Sequence, residues 1–412
     1  MAEYLDELEI RSPEQRERAQ FAALAGRIAQ AKAQSRYFAK ALASVDPAAM
    51  TSRAALVQVP VMRKSDLHAL QQNAPPFGGL TAVDTARLAK IFVSPGPIYD
   101  PEGTVPDYWR LRRALYAAGF RAGDLVQNCF SYHLVPAGSM LEGGLRALGC
   151  VVIPAGVGQT DMQVATMADL RPVGYTGTPS FLKLILEKGE ELKRDLSGLK
   201  KALVSGEAVP APLREYFAAR GIVAFQAYAT ADVGTIAFET SAREGLVVDE
   251  GVLVEIVRPG TGDPVPDGEV GEIVVTSIAC ADYPLIRFAT GDLSATLAGV
   301  SPCGRTNMRI KGWMGRADQT TKVRGMFVHP HQIADVVKRF PLIQRARVVV
   351  DTADDGDRMR VLCAVSNTVD GLKLQIETAV REITRLRGDV EFVEAQVLPN
   401  DGKVIEDLRK VS

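Results

Sequence analysis

Four short apolar runs between residues 124 and 205 decide the fold: D-L-V-Q-N-C-F (124–130), V-V-I-P (151–154), G-Y-T-G (174–177) and A-L-V-S (202–205). Helical stretches near 140–148, near 160–170 and from Pro179 onward separate them. Short buried strands alternating with helices predict parallel sheets covered by helices, the α/β class. Ligands of such folds bind beyond the C-terminal ends of the strands, so the residues that follow each run are the first candidates for chemistry. Upstream, L-A-K-I-F-V-S (88–94), a Pro/Gly-rich turn and a helical stretch at about 107–118 read as one more strand, loop and helix.

Working outward, Ser12-Pro13-Glu14-Gln15 combines an N-cap, a first-turn proline and a capping Gln, and opens an Ala-rich helix that runs with interruptions to about residue 43. Residues 1–60 are expected to form a helical arm on the main body. From about residue 246 the texture changes to G-V-L-V-E-I-V and G-E-I-V-V-T-S joined by a turn-rich P-G-T-G-D-P-V-P-D-G, an antiparallel section. After Asp318 come a helix (330–339), strands (346–350 and 358–365), a helix (372–387) and a strand (390–397). The expected organisation is a large N-terminal domain, 1–317, with helix-covered parallel sheets and a small antiparallel section, then a small mobile α+β C-terminal domain, 318–412.

The 412 residues exceed what one core usually supports, and 47% of them are hydrophobic. A formal net charge of -1 with both signs interspersed supplies no footprint for nucleic acid and no polybasic membrane anchor, which leaves small molecules as partners. Five scattered cysteines without a C-x-x-C pair argue for reduced thiols, and the acidic N-terminus lacks an export signal. A cytoplasmic protein is expected, without membrane insertion.

Glycine-punctuated polar words gather in the C-terminal half: Y-A-T-A-D (228–232), R-F-A-T-G-D (287–292), M-G-R-A-D (314–318) and D-G-K (401–403). Asp292 follows a glycine after a strand, where an ionised carboxylate can accept two hydrogen bonds from a ribose diol; an ordinary turn reads the same way. Arg287 reads equally as a rim cation. Tyr228 ends a strand and can stack on a purine, and Asp232 can reach Mg2+ through oxygen; the bland reading is a core-edge tyrosine and a solvated acid. V-S-G-E-A (204–208) offers Gly206 and Glu207 to an adenine edge or is a plain strand-to-helix turn. Phe130, Tyr132 and His133, beyond the first strand, are candidate walls of an acyl pocket or simply core aromatics with a surface His. Lys403 is either a tail lysine or a mobile cation that stabilises charge developing on a phosphate.

As a set, these words resemble the phenylacetate-CoA ligase family of the adenylate-forming superfamily. The best stretches are R-A-L-G-C-V-V-I-P, Y-T-G-T-P-S, G-E-V-G-E-I-V-V-T, Y-P-L-I-R-F-A-T-G-D-L and M-G-R-A-D-Q-T-T-K-V-R-G-M-F-V-H-P-H-Q-I. The resemblance implies an AMP-forming acid:CoA ligase that uses ATP, Mg2+ and CoA on an aryl or similarly hydrophobic carboxylic acid, possessing the adenylate-forming fold and a homodimeric state. It implies nucleotide contacts at Ser94, Gly96, Gly206, Glu207, Tyr228, Asp292 and Arg316, a hinge at Asp318, a tentative Mg2+ ligand in Asp232 and a catalytic role for Asp232 and Lys403.

Departures from the family fall on the triphosphate side. Its phosphate loop is rich in Ser, Thr and Gly with a lysine; here S-P-G-P-I-Y-D-P-E-G (94–103) lacks the lysine. Pro95, Pro97 and Pro101 remove amide donors, and Asp100 and Glu102 are expected to repel phosphate. The family's Y-G-x-[ST]-E becomes Y-A-T-A-D, which puts Ala231 at the hydroxyl position. The structural zinc of many relatives would fall on Thr240, Val247, Ser301 and Cys303, one good ligand, so no zinc is expected. The alternatives to a CoA ligase are a weakened homologue that binds AMP, an acyl-adenylate or acyl-CoA, or an adenylating enzyme with another acceptor.

Overall fold

A computed structural model describes residues 3–94, 97–314, 317, 321–324, 326–328, 330–353, 356–398 and 404–409. The chain divides into two compact units, Met1–Met314 and Gly315–Ser412.

In the first unit, five strands run parallel in the spatial order Val151–Pro154, Leu125–Asn128, Gly174–Gly177, Lys201–Val204 and Val223–Thr230. The sheet continues antiparallel through Gly234–Phe238, Leu246–Val248, Arg309–Ile310 and Thr296–Leu297, giving nine strands. Gly234 turns the chain back at φ 82, and a Cβ there would stand 2.7 Å from the Trp109 carbonyl oxygen, so only glycine fits. The strand expected at 88–94 belongs elsewhere: Lys90–Ser94 pairs with Ile98–Glu102 as a separate two-stranded hairpin. A five-residue apolar run carries no information about its partner, and here the nearest chain captures it.

A second, four-stranded sheet orders Met62–Arg63, Phe288–Ser294, Gly271–Ser277 and Val252–Val257, antiparallel except for the first pair. The N-terminal arm packs on its side of the unit through Phe21, Leu24 and Ile28, which share one core with Leu253, Ile273 and Phe288. Helix Pro13–Gln34 starts with the capping box read from the sequence: the Gln15 amide donates to Ser12 Oγ at 3.2 Å and the Ser12 amide to Gln15 Oε1 at 3.3 Å. Ser35 is extended, ends this helix and caps the next, Arg36–Ala41.

Arg287 is not a rim cation. It is 2% exposed, and its five N–H groups are all used. Nε and Nη2 grip Glu255 at 3.1 and 3.0 Å, Nη1 donates to the carbonyls of Val57 and Val59 at 2.8 Å each, and Nη2 also donates to Gly262 at 2.6 Å. One side chain thereby joins the arm, the small sheet and its turn.

The two acids of the hairpin also face inward. Glu102 accepts from Trp109 Nε1 at 2.6 Å, Ser139 Oγ at 2.8 Å and Lys90 Nζ at 2.8 Å. Asp100 is 1% exposed, and neither of its oxygens has a hydrogen-bond partner among the described residues. Burial first, and the nearby Asp232 second, push its carboxyl up to about 8. Both acids therefore face the interior: Glu102 is engaged by a cation and two donors, and burial disfavours the ionised form of Asp100, which weakens the expected repulsion of phosphate.

The second unit has a four-stranded sheet ordered Asp389–Val393, Gly356–Val365, Ile343–Ala353 and Ile405–Asp407, with helices Pro330–Arg339 and Leu372–Thr384. Val348, Val361, Ile376, Val380 and Val390 form its core.

Removing a partner from a buried ion pair strands the other charge, so Arg287→Ala is expected to cost about 3–5 kcal/mol of unfolding free energy, measured by denaturant titration. For Asp100, a folded pKa above the unfolded value of about 4 means that stability is lost as pH rises from about 4 through the folded value of about 8. The stability difference between Asp100→Asn and the parent protein should accordingly grow in favour of the variant from pH 4 to pH 8 and then level off. A pH-independent difference in melting would show that Asp100 ionises normally.

Candidate active site

The chain order of the parallel strands reverses beside Leu125–Asn128: the next strand, Val151–Pro154, lies on one side and the following one, Gly174–Gly177, on the other. This switch point opens a crevice at the C-terminal strand ends. Further along the same sheet, where Lys201–Val204 and Val223–Thr230 lie side by side, two cavities meet, one of about 450 Å³ and one of about 170 Å³, and they share Ser205, Gly206, Ala227 and Ala229.

The larger cavity brings together Gly206, Glu207, Tyr228 and Asp292, four of the nucleotide residues expected from the sequence. Gly206 takes φ 81, a turn that exposes backbone after strand Lys201–Val204. Glu207 is tied to the N-terminus of helix Pro179–Glu191, accepting from Ser180 Oγ at 2.9 Å. Asp292, on strand Phe288–Ser294 of the small sheet, is 7% exposed. The Tyr228 hydroxyl donates to its Oδ2 at 2.8 Å and the Trp313 indole N–H to its Oδ1 at 3.2 Å. Gln226, Lys311 and Trp313 complete the wall and were not singled out by the sequence. The available signal for Trp313 was a tryptophan flanked by glycines, K-G-W-M-G, where a large aromatic has no core to enter.

Asp232 lies in the turn between Val223–Thr230 and Gly234–Phe238. It is 6% exposed; Lys64 Nζ stands 2.5 Å from Oδ2, and Oδ1 has no hydrogen-bond partner among the described residues. Lys64, like Gln226, Lys311 and Trp313, is not singled out by the sequence. No group of three or more His, Cys, Asp or Glu able to hold a metal occurs among the described residues. An orphaned hard oxygen at Asp232 fits Mg2+ only as one ligand, with phosphate oxygens and water supplying the others.

The smaller cavity carries no ionisable side chain; Phe130, Ala137, Met140, Leu141, Ala227 and Ala229 form much of it, with Ser94, Ser205 and Thr230 as hydroxyl groups. Ala231 lines it as well. Of the three expected acyl-pocket residues only Phe130 is present. Asn128 Nδ2 donates to the Tyr132 hydroxyl at 2.7 Å, drawing that ring against Gly138, and His133 is exposed. Helix Ala137–Leu148 provides the wall instead, through Met140 and Leu141. Ser94, expected at phosphate, lies on this apolar cavity. Gly96, Arg316, Asp318 and Lys403 fall outside the described residues.

At the position of the relatives' zinc, the Ser301 and Cys303 side chains stand 3.1 Å apart and Arg305 Nη1 donates to Cys303 Sγ at 3.5 Å. Burial pushes this thiol up, but hydrogen bonds from Ser301, Thr240 and Arg305 outweigh it and hold Cys303 below the usual thiol range. One thiol beside hydroxyls and a guanidinium does not fit zinc.

Residues 113–281 match the AMP-binding enzyme family model. A phenylacetate-coenzyme A ligase of Thermus thermophilus is 31% identical over 337 residues, 76% of this chain and 74% of that protein. One from Escherichia coli K12 is 30% identical over 315 residues, 72% and 70% of the two chains. A crystal structure of 2-hydroxyisobutyryl-CoA ligase in complex with 2-HIB-AMP and CoA superposes with TM-score 0.78 at 22% identity, covering 99% of this chain and 93% of that one, a likeness of fold. The adenylate-forming fold and the sequence identity across most of both chains agree, and the chain belongs to the phenylacetate-coenzyme A ligase family.

Proposed function

We propose that this protein is an ATP-dependent, AMP-forming acid:CoA ligase for a hydrophobic, phenylacetate-like carboxylic acid. The observation that carries this reading is the pair of joined cavities: a polar one holding a carboxylate between two aromatic donors, and an apolar one that meets it at Gly206 and Ala229. Their junction suits a carboxylate whose tail is apolar and whose oxygen must reach an α-phosphate.

In the first half-reaction a substrate carboxylate oxygen attacks the α-phosphorus and pyrophosphate leaves; in the second the CoA thiolate attacks the acyl carbon and AMP leaves. Asp292 would hold the ribose diol, and Gly206, Glu207 and Tyr228 the adenine. Asp232 would hold Mg2+, whose charge offsets that of the phosphate oxygens. Arg316 would contact the nucleotide, Lys403 would stabilise the transition state of adenylation, and Asp318 would act as hinge between domains 1–317 and 318–412. CoA as acceptor is supported by the names of the relatives. The inward-facing acids of the hairpin weaken the electrostatic argument against ATP, and the names of the relatives favour an active ligase over a nucleotide-binding homologue.

A cytoplasmic setting is supported by the ATP and CoA the reaction consumes and by five cysteines that are all free thiols. No helix among the described residues is long and apolar enough to cross a membrane. A homodimer is inferred from the family resemblance alone.

Pyrophosphate release should depend on an added aryl or alkyl carboxylic acid and fall roughly 10²–10³-fold in Lys403→Ala. The absence of release across a broad acid panel would overturn the ligase reading. Enlarging one wall residue of the apolar cavity should act on the tail of the acid: Ala137→Leu is expected to lower kcat/KM for phenylacetate roughly tenfold or more while sparing acetate, because each buried methylene is worth about 1–3 kcal/mol in such a pocket. Equal losses for both acids would place the acyl group elsewhere.

A further inference from the structure

Trp313 is one of two tryptophans in the chain, and the two are placed in opposite ways. Trp109 is 3% exposed and spends its indole N–H on the buried Glu102. Trp313 is 47% exposed, yet its N–H is directed at Asp292 Oδ1 at 3.2 Å and its ring lines the 450 Å³ cavity. An indole held by a hydrogen bond at one edge while its ring faces an open polar cavity has no packing role that its position explains. Aromatic faces at such cavities are binding surfaces for flat, polarisable groups.

The chemistry around it narrows the ligand. Tyr228 and Trp313 each donate to a different oxygen of the same carboxylate, so the plane of Asp292 is set by two aromatic side chains that also wall the cavity. A carboxylate that can meet a diol, in one cavity with two aromatic side chains that can meet a base, is a complement to a nucleoside. Tyr228 comes from the nine-stranded sheet and Asp292 from the four-stranded one, while Trp313 follows Arg309–Ile310, the strand next to the edge of the larger sheet. Three separate pieces of chain converge on one recognition point.

We propose that Trp313 is a nucleotide-binding residue: its ring is a second stacking wall for the purine beside Tyr228, and its N–H orients Asp292 toward the ribose. This rests on the reading that the cavity takes the nucleotide of an AMP-forming ligase. It adds a selectivity element, because stacking on an indole favours the larger purine ring system over a pyrimidine and makes base discrimination a property of this residue.

Tryptophan fluorescence and calorimetry of the full chain test the proposal with AMP and UMP as probes. In the parent protein AMP should change the fluorescence, since only Trp313 is in reach of ligand. Trp313→Phe, which keeps a ring and loses the N–H, should abolish that change and raise the Kd for AMP by a few-fold. Trp313→Ala should raise it roughly tenfold or more, the stacking contribution of a base being about 1–3 kcal/mol, and should narrow the preference for AMP over UMP. Unchanged melting of both variants would show that they fold. An AMP affinity in Trp313→Ala equal to that of the parent protein overturns the assignment while leaving the ligase reading intact. If the parent protein binds neither AMP nor ATP·Mg, the nucleotide reading itself fails and the assignment falls with it.

Discussion

Arg287 and Glu255 form the interaction on which the position of Asp292 depends. The guanidinium is taken fully out of water, which is tolerable only because every donor is met, two by a carboxylate and three by carbonyls from separate segments. Arg287 holds φ 47, strained for a residue with a side chain, and its own carbonyl accepts from the Met62 amide at 3.0 Å. Those restraints set where Phe288–Ser294 begins and in what register it pairs. Asp292 is five residues further along the same segment, so a fixed start becomes a fixed carboxylate.

The departures from the family's motif acquire a physical meaning once the strand Val223–Thr230 and its turn are seen in place. Tyr228 lines the polar cavity only, and Thr230 and Ala231 line the apolar one only, while Ala227 and Ala229 border both. Where the family has a glycine and a hydroxyl, this chain has two methyl groups, and both fall on the apolar wall. The change therefore alters the apolar cavity at least as much as the polar one, and it trades a polar surface for a dry one.

Local signals in the sequence transmit well into the fold. The capping box at Ser12, the four strands after residue 124 and the helices between them depend on neighbours in sequence, and all form. Asp292, Tyr228, Gly206 and Glu207 were singled out by the order of their motifs, and one cavity gathers them. What escaped depends on distant contacts. Lys90–Ser94 has the composition of a sheet strand, but its partner is chosen by the turn that follows. Arginine is ordinarily exposed, so nothing near Arg287 announces a buried carboxylate 32 residues away. Tyr132 looked like a pocket residue until Asn128 claimed its hydroxyl.

One group of unmet polar atoms lies beneath the hairpin Lys90–Ser94 and Ile98–Glu102. Both oxygens of Asp100, Oδ1 of Asp232 and the Tyr283 hydroxyl are buried without a hydrogen-bond partner among the described residues. The Tyr283 hydroxyl is pushed well above its usual range by burial first, then by the charges of Asp100 and Asp232, which places the three groups within one electrostatic neighbourhood. Each unmet group costs about 1–3 kcal/mol, so a fold with no use for them would be more stable with apolar side chains there. Proteins keep such deficits mainly where a ligand completes them. The deficit adjoins Asp232, in the turn after the strand that carries Tyr228, so unmet hydrogen bonds gather beside the stretch Y-A-T-A-D, where the sequence departs from the family's motif.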